Sequence, residues 1–271
     1  MTKDMINPDW QVILAHNGLK DFEALWHLPV KWVEAPNQRR GGFSGVAKVV
    51  LQHPAGGTAE VYLKRQYNHF HRTLCHPIKG ELTLKREMKN ILRCQKAGVP
   101  VITPVYFATR CTKDSHRGLL LTVALTDYQS LDQWMAQWRA SQMPCRDTRH
   151  SLLEQLAKIV RTMHDHGLQH GCLHDYHIFL KLTEDDASFR LIDLEMLKWR
   201  PDRARLRDLH ALNRHSEGWS TRDRLRFYKY YLGIDKLTPK DKGLWQQLER
   251  RYQRKLQQKQ RKQRAYEANH R

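Results

Sequence analysis

The stretch His170-Gly171-Cys172-Leu173-His174-Asp175-Tyr176-His177, with Ile192-Asp193-Leu194-Glu195 after it, decides how this chain is read. Each segment adjoins an apolar run of strand length. Ile178-Phe179-Leu180-Lys181-Leu182 follows the first, and Phe189-Arg190-Leu191-Ile192 leads into the second. The charged stretch Thr183-Glu184-Asp185-Asp186 reads as the turn between them, so the two polar loops converge. Upstream, Leu152, Leu153, Leu156, Ile159, Val160 and Met163 recur at helical spacing and predict a buried helix that Gly167 ends.

The chain changes character at Thr126-Asp127-Tyr128-Gln129-Ser130. Before this point it is mostly strand-like. Gly41 to Leu51 and Ala59 to Arg65 flank the turn signal Pro54-Ala55-Gly56-Gly57, and Val101 to Ala108 and Leu119 to Leu125 read as further strands of the same sheet. A helix is predicted over Glu81 to Cys94, with Leu84, Met88, Ile91 and Leu92 as its apolar stripe and Gly98-Val99-Pro100 as its end. Beyond the boundary, helical patterns dominate from Leu131 onward. The expected fold is α+β and bilobal: a small β-rich lobe over residues 1–126, a larger helical lobe over 127–271, and a cleft between them.

Composition limits the chemistry. The chain has 271 residues with 40% hydrophobic content and eight tryptophans, enough to bury a sizeable core. Lys and Arg number 47 against 28 Asp and Glu, a formal charge of +19 that favours anionic partners without choosing among nucleic acid, membrane surface and phosphorylated sugar polymer. Five widely spaced cysteines with no C-x-x-C pair point to a reducing compartment. Residues 1–10 lack the apolar run of a signal peptide, and no stretch approaches membrane-spanning length. A cytoplasmic protein is expected, with peripheral membrane attachment left open.

Phosphate chemistry would use several of these residues together. In Gly41-Gly42-Phe43-Ser44-Gly45, tight glycine turns bring backbone N–H groups close to phosphate oxygens, although such a segment is more often an ordinary hairpin. Lys64 shares a face of its strand with Tyr62 and would reach phosphates only if an acid held it there. Glu87, beside the apolar stripe of the predicted helix, is the first choice for that acid, and Glu81 is the second. Asp193 supplies a hard carboxylate for Mg²⁺, or else is a plain turn aspartate.

Taken in order, these segments resemble the lipopolysaccharide kinase family, InaA/WaaP-like, within the protein-kinase-like superfamily, over roughly residues 35–235. The resemblance implies ATP and Mg²⁺ as cofactors. Gly41, Gly42, Ser44 and Gly45 take the place of the nucleotide loop, Lys64 and Glu87 that of the lysine–glutamate pair, Asp193 and His177 that of the metal residues, and Asp208 that of the aspartate bracing the catalytic-loop backbone. His170, Cys172, His174 and Asp175 occupy the catalytic loop. Cys172 stands where a kinase carries its catalytic aspartate. A neutral thiol with an ordinary pKa of about 8.5 accepts a proton poorly, so Asp175 or His174 becomes the candidate for orienting the acceptor. The implied acceptor is a sugar hydroxyl, heptose first, of the lipopolysaccharide inner core, with the inner membrane as a possible peripheral contact.

Two other readings stand beside this one. A pseudokinase that binds nucleotide or a partner without phosphoryl transfer would also explain Cys172. A nucleic-acid-binding protein would explain the charge, but no zinc-finger, RNP-type or repeated aromatic-basic signature accompanies it. His69, His71, Cys75 and His76 lack the second ligand pair of a zinc site. The Lys-, Arg- and Gln-rich stretch from Leu248 to Glu267 reads as an exposed helix or a partly ordered tail that would touch anionic headgroups, or simply as a solubilising helix.

Overall fold

The computed structural model describes residues 4–39, 41–71, 80–113, 115–183, 186–201 and 204–269. Two compact units emerge from it, Met1–Arg93 with Val101–Asp127 and Cys94–Pro100 with Tyr128–Arg271. Residues Cys94–Pro100 are thus grouped with the second unit although they precede the last strands of the first.

The first unit opens with helices α1 (Pro8–His16) and α2 (Phe22–His27). Asn7 and Asp21 cap them by accepting the N–H groups of Asp9 and Ala24, and Pro8 opens α1 where a missing N–H costs nothing. Strands β1 (Asn37–Arg39), β2 (Gly42–Gln52) and β3 (Thr58–Tyr67) follow, then helix α3 (Thr83–Lys96) and strands β4 (Pro104–Cys111) and β5 (His116–Val123). The sheet is antiparallel, in the order Met5–Ile6, β4, β5, β3, β2, β1. Alternation along β3 buries Val61, Leu63 and Arg65 and leaves Tyr62 and Lys64 on the other face. Val61 and Leu63 join Leu14, Phe22, Leu25, Tyr106 and Leu119 in the core under α1 and α2. Arg65 donates to the carbonyls of Leu25 and Leu28 at 2.7 and 2.6 Å, at the C-terminal end of α2 where positive charge is favoured.

The predicted helix starts two residues later than the periodicity suggests. Glu81–Leu82 is a short strand paired with Phe70–His71, and α3 begins at Thr83. The glycine-rich segment lies in the turn from β1 to β2 and in β2 itself. At Gly42 a side chain would run into the backbone oxygens of Tyr67 and Asn68, and at Gly45 it would meet the Trp32 ring at 2.8 Å. Close packing therefore requires both glycines.

The second unit contains α4 (Leu131–Ala140), α5 (Arg146–Asp165), strands β6 (Ile178–Leu182) and β7 (Ala187–Leu191), and helices α6 (Ala204–Arg214), α7 (Thr221–Leu232) and α8 (Pro239–Asn269). In α5, Leu152, Leu153, Leu156, Ala157, Val160 and Met163 are buried, the stripe its spacing predicts. The basic C-terminal stretch belongs to one continuous helix. Its first half is held by buried Leu248 and by Arg224, which contacts Glu249 at 2.9 Å and lies 3.8 Å over Tyr252; Gln257 to Ala268 are exposed. No helix among the described residues is long and apolar enough to cross a membrane.

Candidate active site

In the first unit, Gln66 lies two residues beyond Lys64 and therefore on the same face of β3. Its Oε1 accepts the Thr83 hydroxyl at 3.0 Å and the Leu84 N–H at 2.9 Å, satisfying one of the free donors at the start of α3. This bond fixes the helix over the strand. One turn into α3, Glu87 Oε2 meets Lys64 Nζ at 2.6 Å, with the two side chains 7% and 19% exposed. Burial excludes a loosely solvated lysine, since an uncompensated ammonium there would be costly. Glu81 instead pairs with Lys89 at 3.3 Å. Ser44 Oγ accepts Gln66 Nε2 at 3.2 Å, tying β2 to the same network. Gly41, with φ +76° and open space around it, sits at the turn.

In the second unit, the register of β6 and β7 pairs Ile178 with Leu191 and so brings the ends of the two polar loops side by side. The His177 carbonyl accepts the Ile192 N–H at 3.1 Å, and the Ile192 carbonyl accepts His170 Nε2–H at 3.1 Å. Both polar groups of the residue before Asp193 are thus clamped by the first loop. Asp193 itself adopts the left-handed conformation, φ +56° and ψ +57°, which aspartate tolerates better than most side chains. The other residue that restricts the loop is Gly171. At φ +85°, an added Cβ would lie 2.8 Å from the Met196 carbonyl oxygen, which accounts for glycine where kinases usually carry arginine.

Asp208, on α6, is fully buried beneath this loop. Its carboxylate accepts the backbone N–H groups of His170 at 2.6 Å and Gly171 at 2.8 Å, and Nε2–H of His164 at 3.1 Å. His164 comes from α5 and takes the Tyr231 hydroxyl of α7 at 2.9 Å, so three helices set the position of the loop. His170 is wholly buried, and burial lowers its pKa and keeps the ring neutral. That places it behind the loop as a brace.

His177 and Asp193 carry the electrostatic feature of the site. His177 Nδ1 lies 2.8 Å from the Cys172 carbonyl, an acceptor, so Nδ1 carries the hydrogen. In a neutral ring Nε2 then presents a lone pair to Asp193 Oδ2 at 3.4 Å. Two facing lone pairs repel unless a proton or a metal cation lies between them. The Asp193 side chain is 39% exposed, open to such an ion. A carboxylate oxygen suits Mg²⁺ well and an imidazole nitrogen less so. Among the described residues no group of three or more His, Cys, Asp or Glu side chains could hold a metal, so an ion held by His177 and Asp193 would need further oxygen ligands of other kinds.

The remaining loop residues divide by environment. Burial, and then the charge of Asp193, raises the Cys172 pKa, so the thiol stays neutral. Asp175 begins a 3₁₀ turn over Asp175–His177 and lines an apolar cavity of about 50 Å³ with Leu131, Leu153 and Leu212. Burial and the nearby Asp132 raise its pKa to about 6. Between its ordinary and raised pKa the folded protein holds more protons than the unfolded one, so this group destabilises the fold as pH rises through that window. Asp175→Asn is expected to raise the unfolding free energy measured by urea denaturation at pH 7.5 by about 1 kcal/mol after solvent screening, and to change it little at pH 4. Loss of the pH difference between wild type and variant would refute this. His174 packs on His215, and Tyr176 donates its hydroxyl to His174 Nδ1. Sequence reasoning passed over Tyr176, His164 and His215, because their spacing follows no motif. Of the histidine cluster, His69 Nδ1 lies 3.1 Å from Thr83 Oγ1, while Cys75 and His76 fall outside the described residues.

A lysine–glutamate pair joining a strand to a helix, and an aspartate-braced loop against a second loop carrying a left-handed aspartate, are the parts of a protein-kinase-like fold. A solved structure described as WaaP in complex with acyl carrier protein has the same fold, with a TM-score of 0.69, 22% identity, and coverage of 94% of this chain and 99% of that one. The chain belongs to the lipopolysaccharide kinase (Kdo/WaaP) family, which matches residues 23–231. It is 31% identical over 217 residues to Protein InaA of Escherichia coli K12, covering 79% of this chain and 96% of the relative. It is also 28% identical over 192 residues to the lipopolysaccharide core heptose(I) kinase WaaP of Pseudomonas aeruginosa, covering 66% and 71%.

Proposed function

We propose that this protein transfers the terminal phosphoryl group of ATP to a sugar hydroxyl of the lipopolysaccharide inner core, with heptose as the expected acceptor. The observation that carries this reading is the His177–Asp193 pair, whose Nε2 and carboxylate oxygen face each other at 3.4 Å and would be bridged by a proton or by a metal cation. Lys64, held by Glu87, would neutralise phosphate oxygens, with Gly41, Gly42, Ser44 and Gly45 forming the adjoining loop. Asp193 and His177 would hold Mg²⁺, which offsets charge developing on the transferred group. Asp208 and His170 keep the catalytic loop in register. The relatives named for heptose phosphorylation support the acceptor class, and the net charge of +19 suits a phosphorylated sugar polymer at the inner membrane surface.

Cys172 need not perform chemistry in this scheme, because phosphoryl transfer depends mainly on positioning and electrostatics. Its neutral thiol nevertheless supports a second reading, a pseudokinase that binds nucleotide and transfers nothing. Purified protein, ATP and a panel of truncated core oligosaccharides separate the two. The enzyme is expected to add one phosphoryl mass to an oligosaccharide retaining inner-core heptose, and Cys172→Ala is expected to keep the rate within about threefold, since a neutral thiol gives no base catalysis. Tight ATP binding without transfer to any oligosaccharide would establish the pseudokinase. In the same assay, Glu87→Gln is expected to lower kcat/KM for ATP about 10- to 100-fold by releasing Lys64; an unchanged value would remove the pair from the nucleotide site.

A further inference from the structure

Four imidazoles form a column in the second unit. His170 and His177 lie 6.2 Å apart with planes 16° from parallel, His177 and His174 5.6 Å and 11°, and His174 and His215 4.0 Å and 21°. Tyr176 stands edge-on to the outer three, with ring centroids at 4.9 Å from His174, 4.4 Å from His177 and 6.1 Å from His215. Such spacings lie in the range where ring contacts are favourable, and parallel and perpendicular contacts together leave each ring little freedom.

Both ends of the column are fixed. At the inner end His170 is buried and bonded to the Ile192 carbonyl. At the outer end Lys255 of α8 lies 3.2 Å from His215 Nδ1 and 3.1 Å from the Arg214 carbonyl. Because an ammonium only donates, His215 Nδ1 must accept, which fixes both its tautomer and its orientation.

We propose that His215 and Lys255 are positioning residues for phosphoryl transfer, acting through the His174 ring to hold His177 square to Asp193. This role rests on the kinase reading. Arginine and aspartate, usual in the kinase loop, are here Gly171 and Cys172, of which the first has no side chain and the second only a short, weakly hydrogen-bonding thiol with which to brace the loop. The ring column, anchored by the C-terminal helix, supplies that brace. The first half of α8 thereby becomes part of the catalytic architecture, a role that its basic composition does not suggest.

The test compares His215→Ala, His215→Phe and Lys255→Met with wild type. His215→Ala should lower kcat about 10- to 100-fold, as a misplaced catalytic group does, with KM for ATP within about twofold. His215→Phe restores a stacking ring and should recover at least about half of the wild-type kcat. Lys255→Met should fall between the two. In NMR spectra, the part of the ring-current displacement of the His174 side-chain protons that comes from the ring at position 215 should be lost in His215→Ala and return in His215→Phe. A His215→Ala protein with wild-type kcat, or a His215→Phe protein no better than His215→Ala, overturns the positioning role while leaving the kinase reading intact. Wild-type protein that transfers no phosphate overturns the kinase reading, and this role with it.

Discussion

Asp193→Asn is expected to abolish phosphoryl transfer, by about 10³-fold or more, and to leave the fold unchanged. Asparagine is as much at home as aspartate in the left-handed backbone that this position requires, φ +56°, so the substitution adds no strain. The Ile192 bonds to His170 and His177 hold the backbone from the preceding residue and remain in place. What disappears is one negative charge facing His177 Nε2 at 3.4 Å. In the proposed role, a bound divalent cation would lose its hard anionic ligand, and the stabilisation it would supply to charge on the transferred group would go with it. The measurement is single-turnover transfer, with thermal unfolding as the control. Activity within tenfold of wild type would show that Asp193 holds no essential ion.

The second large effect concerns stability. Asp208→Ala should cost about 3–5 kcal/mol, because it leaves three N–H donors, the buried ones of His170 and His164 and the part-buried one of Gly171, without their acceptor. Asp208→Asn should cost less, about 1–3 kcal/mol, since one amide oxygen can still accept some of those bonds while its NH₂ group faces donors. Urea denaturation of both variants checks this. The His164 bond to the Tyr231 hydroxyl implies that loosening the loop also loosens α5 against α7. A loss below 1 kcal/mol for the alanine variant would mean that water or a rearranged side chain replaces the carboxylate.

Much of this site is written in local chemistry. Lys64 is legible because strand alternation separates it from Val61 and Leu63, and Asp193 because an apolar strand delivers it to a loop. Asp208 is legible only through family resemblance, because nothing in Arg207-Asp208-Leu209 announces that its carboxylate turns inward. The choice between Glu81 and Glu87 is settled by Gln66, whose bond to the Leu84 N–H sets where α3 begins; a side chain capping a helix from another strand leaves no periodic trace. Gly42 and Gly45 read as phosphate-loop glycines, yet packing against Tyr67, Asn68 and Trp32 already demands them, so their occurrence alone does not identify a ligand.

Other parts were legible but not read. Asn7-Pro8 and Asp21 are helix-start signals that announce α1 and α2, the helices under which the first unit buries its core. The imidazole column lies beyond such reading altogether. His215 follows His174 only after three strands and an α-helix, and Lys255 comes from a different helix again. Contacts between distant segments depend on tertiary packing, and a single sequence carries no pattern that encodes them.

The central proposal is that Mg·ATP binding depends on both Lys64 and Asp193, and calorimetric titration of ATP with and without Mg²⁺ tests it most directly. Wild-type protein should bind ATP more tightly with Mg²⁺ present, Asp193→Asn should lose that gain while keeping the metal-free affinity, and Lys64→Met should weaken binding under both conditions. If Mg²⁺ leaves ATP affinity unchanged in wild type, or if Asp193→Asn retains the full Mg²⁺ effect, the assignment is contradicted.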